Sequence, residues 1–185
     1  MHPVKYLWAL RALTYKAILG SVGRFTYIGK PVFIEGRAGI KIGSRTRIFP
    51  GIRMEAIGEG TIEIGNNVAI EQNVHITCEG GVLRIGDNTT VAANTFITNI
   101  DHVYEDITKS VMEQGLIQKE TIIGEGCFLG YGVAIQAGTR LGKHCVVGAN
   151  SVVKGDFPDY SVIVGVPGRI IKKYNIEIQE WERVR

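Results

Sequence analysis

The stretch that decides the fold is residues 122–153, IIGEGCFLGYGVAIQAGTRLGKHCVVGANSVV. An aliphatic residue returns every six positions in it: Ile123, Leu129, Ile135, Leu141, Val147 and Val153. A glycine follows four of these six, and a small or β-branched residue stands four positions after each of the first five: Cys127, Val133, Thr139, Cys145 and Ser151. A period of six fits neither a helix at 3.6 nor a flat strand at 2.0. It predicts short strands joined by tight turns and wound into a solenoid of stacked parallel sheets.

The same period covers most of the chain on the amino-terminal side of this stretch. Its aliphatic positions are Ile28, Ile34, Ile42, Ile48, Met54, Ile64, Ile70, Ile76, Ile85, Val91 and Ile97. The period then stops, and residues 98–120 contain no hexad. A solenoid accommodates such an insertion as an extruded loop, and long loops on repeat scaffolds are disproportionately functional. We therefore expect a solenoid domain over 23–170 with an inserted loop at 98–120.

Composition limits the classes of protein that fit. With 185 residues, 45% of them hydrophobic, the chain is long enough for one domain with a full core. It contains no apolar run of 18 residues, and Arg11 and Lys16 interrupt the apolar amino-terminal stretch, so neither a membrane span nor a signal peptide is expected. The three cysteines lack a metal-site spacing, and Cys127 and Cys145 stand at inward positions of the repeat. We interpret both as small core residues in a reducing, cytoplasmic compartment.

The amino-terminal third is strongly basic: residues 1–54 hold ten Lys and Arg but one acid, Glu35. Such a surface can be merely solvated, or it can contact an anionic membrane or an anionic sugar carrier. Nucleic acid is not expected, because no aromatic–basic interleaving accompanies the charge.

A helix is predicted from Val4 to Leu19 within an amino-terminal segment 1–22. One side of that helix is apolar and carries Tyr6, Leu7, Leu10, Leu13 and Ala17. We expect it to pack on its own domain or a neighbouring subunit, or else to lie on the inner face of the membrane as a peripheral anchor. Residues 171–185 form a charged carboxyl-terminal tail.

The hexads, about a dozen of them in phase between residues 28 and 170, resemble the hexapeptide-repeat acyltransferases. Within that family the chain is most similar to the galactoside, maltose and lipopolysaccharide O-acetyltransferase group. The resemblance implies an all-β solenoid, a left-handed parallel β-helix with an amino-terminal α-helix and one extruded loop. The left hand comes from the resemblance, because the usual crossover rule is right-handed. The family also implies a homotrimer that uses acetyl-CoA as co-substrate and needs no metal.

The catalytic histidine of the family stands where this chain has His102, after Asn99-Ile100-Asp101 and the Ala92-Ala93-Asn94 hexad. A hydroxyl is a poor nucleophile until its proton is removed, and a neutral imidazole near pH 7 suits that task. His102 is therefore the expected general base, and Asp101 or a nearby backbone carbonyl would orient its ring. Tyr104 flanks the site and is expected to contact the acceptor. Asn73 lies near a position where related sugar acetyltransferases hold the acceptor.

The resemblance places the donor along the late repeats, between two subunits of the trimer. Gly130-Tyr131-Gly132 occupies a position usually filled by Gly-Ser-Gly or Gly-Ala-Gly, so Tyr131 departs from the family pattern. Gly148 and Ala149 match the family and are expected to offer a backbone contact. Residues 165–169, GVPGR, match the family's G-x-P-x-[KR] signature. Arg169, with Lys154, Lys172 or Lys173, is expected to meet the phosphates of CoA.

Other functions remain to be weighed against acetyl transfer to a sugar hydroxyl. β-Helix trimers also include metal-dependent carbonic anhydrases, which need three histidines at one metal. The histidines here are His2, His75, His102 and His144, and their hexad positions place His75 and His102 on different faces. A metal site is therefore not expected, and a nonenzymatic scaffold would leave the broken period unexplained. The acceptor that we favour is a sugar of lipopolysaccharide, capsule or exopolysaccharide, or its lipid-linked precursor; a nucleotide-linked amino sugar or an antibiotic is the alternative.

Overall fold

The computed structural model describes residues 3–184, which form a parallel β-solenoid of about six turns with one helix at its amino-terminal end. The architecture is that of a left-handed parallel β-helix, as the resemblance implied. Each coil contributes one short strand to each of three sheets, since three hexads make one coil and Ile123 pairs with Leu141 three hexads later. The three sheets, called A, B and C here, are the faces of a prism.

Pairing between successive coils is parallel in all three sheets. Sheet A contains β1 (Ser21–Val22), β4 (Ile40–Ile42), β7 (Thr61–Ile64), β10 (Val82–Ile85), β15 (Thr121–Ile123), β18 (Arg140–Leu141) and β21 (Asp156–Phe157). Sheet B contains β2 (Tyr27–Ile28), β5 (Arg47–Ile48), β8 (Ala69–Ile70), β11 (Thr90–Val91), β16 (Phe128–Leu129), β19 (Val146–Val147), β22 (Ser161–Val164), β23 (Arg169–Asn175) and β24 (Glu180–Arg183). Sheet C contains β3 (Phe33–Glu35), β6 (Arg53–Ile57), β9 (His75–Glu79), β12 (Phe96–Thr98), β17 (Ala134–Ile135) and β20 (Val152–Val153). Antiparallel pairing begins where β23 and β24 extend sheet B, so the predicted tail is part of a hairpin.

The recurring aliphatic residues fill the prism, as the period predicted. All of them are buried except Ile34, which is partly buried and packs against the same core. The small residues Cys127, Val133, Thr139, Cys145 and Ser151 are buried too, and the three cysteines are free. Each stacked aliphatic side chain therefore loses nearly all its contact with water, which stabilises the fold by about 1.5–3 kcal/mol per residue before entropy is counted.

Gly124 shows why glycine follows the aliphatic position. A Cβ added at Gly124 would lie 2.4 Å from the carbonyl oxygen of Gly142 in the next coil. Positive φ angles fall two residues later instead, at Gly126 and Gly132, and at asparagines such as Asn88 in equivalent turns. The glycine after each aliphatic residue is thus needed for close approach of backbones rather than for an unusual backbone angle.

The helix, α1, runs from Val4 to Tyr15 and so ends four residues before the predicted Leu19. Leu19 and Val22 are buried in the first coil, and the chain has to leave the helix axis to bring them there. The amides of Ile18 and Leu19 donate to the carbonyl of Tyr15, and these hydrogen bonds form the turn that follows the helix.

The side of α1 that packs on the solenoid is the aromatic one, opposite to the apolar stripe. Trp8 lies 5.9 Å from Tyr27 and 5.5 Å from Phe49 between ring centroids, and Arg11 donates to the carbonyl of Ile28 at 3.0 Å. The apolar stripe of the helix stays 61–67% exposed: Tyr6, Leu7, Leu10 and Leu13. The helix therefore packs on its own domain through the bulkier Trp8 and Tyr15 flank, and the apolar stripe takes no part in that packing.

The insertion at 98–120 is a β-hairpin rather than an irregular loop. Its strands β13 (Ile100–His102) and β14 (Leu116–Gln118) pair antiparallel, and a short 3-10 helix lies at Val111–Glu113. Asn99, which is buried, fixes the base: its side-chain nitrogen donates to the carbonyls of Glu79 and Gly80 at 3.1 and 2.8 Å, and its oxygen accepts from the amide of Glu79 at 2.9 Å. The hairpin is therefore anchored on sheet C where it leaves the prism.

Candidate functional site

A cavity of about 290 Å³ lies where the hairpin leaves sheet C. Its walls come from three parts of the chain: His75, Thr77, Phe96 and Thr98 of sheet C, Ile100, Asp101 and His102 of the hairpin, and Gln136 and Ala137 of the following coil. The outward side chains of sheet C alternate along each strand, so β9 and β12 present matching pairs to this space. The cavity needs both the repeat and its interruption, because neither alone surrounds it.

His102 stands at the end of β13 with its side chain exposed. It lines this cavity and also a second one of about 180 Å³ formed by residues of the hairpin. Its backbone amide donates to the carboxylate of Asp101 at 3.1 Å. Within residues 3–184 the imidazole itself has no hydrogen-bond partner, so both ring nitrogens are open to a ligand.

Asp101 is tied to the carboxyl-terminal coils. Its Oδ2 accepts from Nζ of Lys154 at 3.0 Å, and this hydrogen bond lowers the pKa of the Asp101 carboxyl. The bond joins the hairpin to the end of β20, 53 residues further along the chain. Asp101 makes no bond to the ring of His102, and its orienting role stays a prediction.

His75 and Glu55 are site residues that the sequence pattern did not single out. His75 was considered only as a metal ligand, and the expectation that it lies on a different face from His102 is wrong. The hexad count fails because the period stops at Ile97 and the hairpin brings His102 back over sheet C. This cluster could have been predicted by comparing outward positions on strands that pair one coil apart. Glu55 on β6 and Thr77 on β9 are such a pair.

Glu55 is the centre of a hydrogen-bonded group beside the cavity. Its side chain is 10% exposed, and its carboxylate accepts from Nε and Nη2 of Arg53 at 2.9 and 2.7 Å. Oε2 is also 2.7 Å from Nε2 of His75 and accepts from the hydroxyl of Thr77 at 3.1 Å. The hydrogen bonds from Arg53 lower the pKa of Glu55 to about 2 against the opposing effect of burial, so the group is an anion at neutral pH.

The two residues that were predicted to contact the acceptor substrate, Asn73 and Tyr104, do not line the cavity. Asn73 occupies a turn before β9 with a φ of 57°, and Tyr104 is 66% exposed beyond β13. Neither is among the residues that line the two cavities beside His102. Their contact with an acceptor stays a prediction.

The predicted donor residues lie at the carboxyl-terminal end of the prism. The amide of Gly168 donates to the carbonyl of Val152 on β20 at 2.7 Å, which brings Arg169 close to the strand that precedes Lys154. The hydroxyl of Tyr131 is hydrogen-bonded to the side chain of Asn94 in a neighbouring turn. The amide of Gly148 already donates to Ile163 at 2.8 Å, so its N–H is not free for a ligand, while Ala149 beside it is exposed.

Across residues 3–184 no group of three His, Cys, Asp or Glu side chains could hold a metal ion. His144 stacks on Tyr160 with ring centroids 5.6 Å apart, away from His75 and His102. His2, the fourth histidine, lies outside the described residues. In the same part of the chain, every helix is too short or too polar to cross a bilayer.

Comparisons with known proteins agree with this architecture. A family model for the bacterial transferase hexapeptide, six repeats, matches residues 120–155. A protein of Escherichia coli K12 named as a lipopolysaccharide biosynthesis O-acetyl transferase, WbbJ, is 37% identical over 83% of this chain and 81% of its own length. Galactoside O-acetyltransferase of the same strain is 25% identical over 86% of this chain and 66% of its own length.

The solved structures show the same fold. AntD, an N-acyltransferase from Bacillus cereus in complex with dTDP-4-amino-4,6-dideoxyglucose and coenzyme A, superposes with a TM-score of 0.78. The match covers 91% of this chain and 90% of AntD at 21% identity. At that identity the likeness establishes the fold and leaves the acceptor open.

Proposed function

Because the chain belongs to the hexapeptide-repeat acyltransferases, we propose that it transfers an acetyl group from acetyl-CoA to a hydroxyl of a sugar. The observation that carries this proposal is the imidazole of His102 in the wall of the sheet C cavity, which has no hydrogen-bond partner within residues 3–184. The 37% identical relative supports a surface polysaccharide, such as lipopolysaccharide, or its lipid-linked precursor as the source of the sugar. The activity thus belongs to lipopolysaccharide biosynthesis or a similar glycan pathway.

In this proposal His102 acts as general base in direct transfer. Its imidazole takes the proton of the acceptor hydroxyl as the oxygen attacks the thioester carbonyl and a C–O bond forms. The tetrahedral intermediate then collapses with loss of the C–S bond, and the imidazolium returns the proton to the leaving thiolate. The exposed position of His102 at the tip of β13 leaves it free to meet both substrates.

The donor half of the site extends from the cavity toward the carboxyl-terminal end. Lys154 and Arg169 supply positive charge there, and the Arg169 guanidinium suits a phosphate because it can donate two parallel hydrogen bonds. Lys154 already pairs with Asp101, so it contributes to CoA binding only if it exchanges that partner. Tyr131 and Ala149, both exposed on the late coils, complete the donor groove.

We place this site in a homotrimer. Exposed aromatic side chains, such as Phe128 and Tyr131, lie on the coil that also contributes Gln136 and Ala137 to the cavity. Apolar groups of this size are commonly covered at interfaces between subunits. A neighbouring subunit would close the groove and shield the reacting atoms from water.

We also propose peripheral contact with an anionic membrane on the cytoplasmic side. The exposed stripe of α1 lies in a part of the chain where Lys5, Arg11, Lys16, Arg24 and Lys30 are not matched by any acid before Glu35. Leucine and tyrosine side chains can enter the headgroup region while the lysines meet lipid phosphates. A lipid-linked acceptor would be reached from that position.

Calorimetric titration with acetyl-CoA tests the donor half of the proposal. Saturable binding is expected for the wild type, and Arg169→Ala should weaken it by about tenfold or more because a charge-assisted hydrogen bond is worth about 1.5–3 kcal/mol. Arg37→Ala, an exposed arginine on the amino-terminal coils, is the matched control and should bind normally. A folded wild type that does not bind acetyl-CoA would contradict the proposal, and transfer to an amino sugar alone would make the enzyme an N-acyltransferase.

A further inference from the structure

A second imidazole, that of His75, lines the same cavity as His102. It projects from β9 one rung from Phe96 on β12, with ring centroids 5.2 Å apart. Its Nε2 lies 2.7 Å from Oε2 of Glu55 and 2.8 Å from the hydroxyl of Thr77. Three residues of sheet C therefore hold this ring, whereas the ring of His102, on the hairpin, has no hydrogen-bond partner in the part of the chain that the structure describes.

The contacts of Glu55 fix which nitrogen of His75 carries hydrogen. Both oxygens of Glu55 accept hydrogen bonds from Arg53, and an ionised carboxylate can only accept. Nε2 of His75 must therefore be the donor to Oε2, as in other carboxylate–imidazole pairs where the acid sets the tautomer. In the neutral ring Nδ1 then carries a lone pair, and no residue between 3 and 184 donates to it.

A purely structural role for His75 does not account for this arrangement. Arg53 already satisfies both oxygens of Glu55, so the ion pair does not need His75 to be complete. The side chain of His75 is 36% exposed, because it points outward between the buried Val74 and Ile76. A held imidazole with one open nitrogen, at the edge of a cavity that contains a candidate base, is arranged to meet a ligand.

We propose that Nδ1 of His75 binds the acceptor by accepting a hydrogen bond from a hydroxyl other than the one that is acetylated. The inference rests on the proposed sugar acetyltransferase function and adds a recognition group to it. Phe96, 38% exposed, offers an apolar surface for one face of the sugar ring beside that bond. The acceptor class is accordingly a pyranoside with at least two free hydroxyls, which His75 positions and His102 activates.

The test uses acetyl transfer from acetyl-CoA to methyl pyranosides and to their monodeoxy analogues. His75→Ala should raise KM for the best pyranoside by about 10- to 100-fold and change kcat far less, because one hydrogen bond to substrate is lost. The deoxy analogue that lacks the contacted hydroxyl should show the same loss with the wild type and little further loss with His75→Ala. That non-additivity would identify the partner of Nδ1.

Two conservative variants separate recognition from support of the fold. The side-chain amide of His75→Asn reaches the position of Nδ1, whereas that of His75→Gln reaches the position of Nε2 and its bond to Glu55. We expect His75→Asn to keep more acceptor affinity than His75→Gln, although the asparagine gives up the contact with Glu55. His144→Ala removes an imidazole that stacks on Tyr160 away from the cavity, and it should leave KM unchanged.

An unchanged KM in folded His75→Ala, or a fall in kcat alone, would overturn the inference while leaving the proposed function in place. A wild type that binds acetyl-CoA but transfers to no pyranoside would overturn the inference about the acceptor class. A wild type that binds no acetyl-CoA would reject the proposed function first, and the role of His75 with it.

Discussion

At the scale of single residues, the site contrasts two imidazoles with different surroundings. His75 is held by Glu55 and Thr77 on a rigid strand, while His102 stands on an inserted hairpin without a partner among the described residues. A ring held by neighbouring side chains suits binding of one hydroxyl at a fixed distance, and a ring with both nitrogens open suits taking up a proton and passing it on. The two proposed roles follow from this difference.

The low pKa of Glu55 predicts how the stability of the fold depends on pH below neutrality. Its pKa of about 2 lies below the ordinary 4.5, so its contacts stabilise the fold fully above about pH 4.5, and that contribution is lost as pH falls toward 2. Glu55→Gln should therefore cost about 1–3 kcal/mol at pH 7, and the difference from the wild type should shrink toward pH 2. Urea unfolding at several pH values measures this.

The control for that experiment is Glu59→Gln, which changes an exposed turn residue two positions beyond β6. It should leave stability unchanged at every pH. A Glu55→Gln protein as stable as the wild type at pH 7 would show that the hydrogen-bonded group around Glu55 does not stabilise the fold.

At the scale of elements, the glycines that follow the aliphatic positions are required because adjacent coils leave no room for a Cβ. Gly124→Ala would place a methyl group 2.4 Å from the carbonyl of Gly142, where neither backbone can move without breaking sheet A. We expect a loss of about 3 kcal/mol in unfolding free energy. Gly115→Ala is the matched control, since an added Cβ there meets no atom within 4 Å.

Denaturant unfolding followed by circular dichroism compares the two variants. Equal stability of Gly124→Ala and Gly115→Ala would contradict the close-approach account of the repeat glycines. It would show that the two backbones can separate enough at this turn to admit a methyl group.

The solenoid could be read from the sequence because its period is local and repeats about a dozen times. Every inward position from Ile42 to Val153 that the period marked is buried. The hairpin could be located at 98–120 but not described, since its pairing of Ile100 with Gln118 depends on contacts outside any period. The Lys154–Asp101 pair and the Glu55–His75 pair were missed because each joins residues on different coils, which a linear pattern does not bring together.

The helix could be placed but its orientation could not. The wheel of α1 marked the leucine stripe, yet the aromatic flank with Trp8 packs on Tyr27 and Phe49. A larger ring buries more area against the first coil than a leucine does, and Arg11 adds a hydrogen bond on that side. The leucines are left for another partner.

At the scale of the whole molecule, charge and apolar surface coincide at one end of the prism. Co-sedimentation with vesicles that contain phosphatidylglycerol should show binding that weakens with salt, and phosphatidylcholine vesicles should bind less. Replacing Leu10 and Leu13 together by aspartate should lower binding by tenfold or more, because two exposed leucines lose their favourable insertion. Ile107→Asp, a 96% exposed residue of the hairpin, is the control and should bind normally.

Vesicle binding that is unaffected by the two aspartates would contradict membrane contact through α1. A neighbouring subunit would then be the remaining partner for the exposed stripe. Light scattering of the same variants then decides between these partners, since a loss of trimer with the aspartates would place the stripe at a subunit interface.

The central claim is that this protein transfers acetyl groups with His102 as base, and release of CoA thiol in the presence of a pyranoside tests it most directly. His102→Ala should lower kcat by about 10²- to 10⁴-fold and leave calorimetric acetyl-CoA affinity close to that of the wild type. Turnover of His102→Ala near the wild-type rate would contradict the claim and require another base in the cavity.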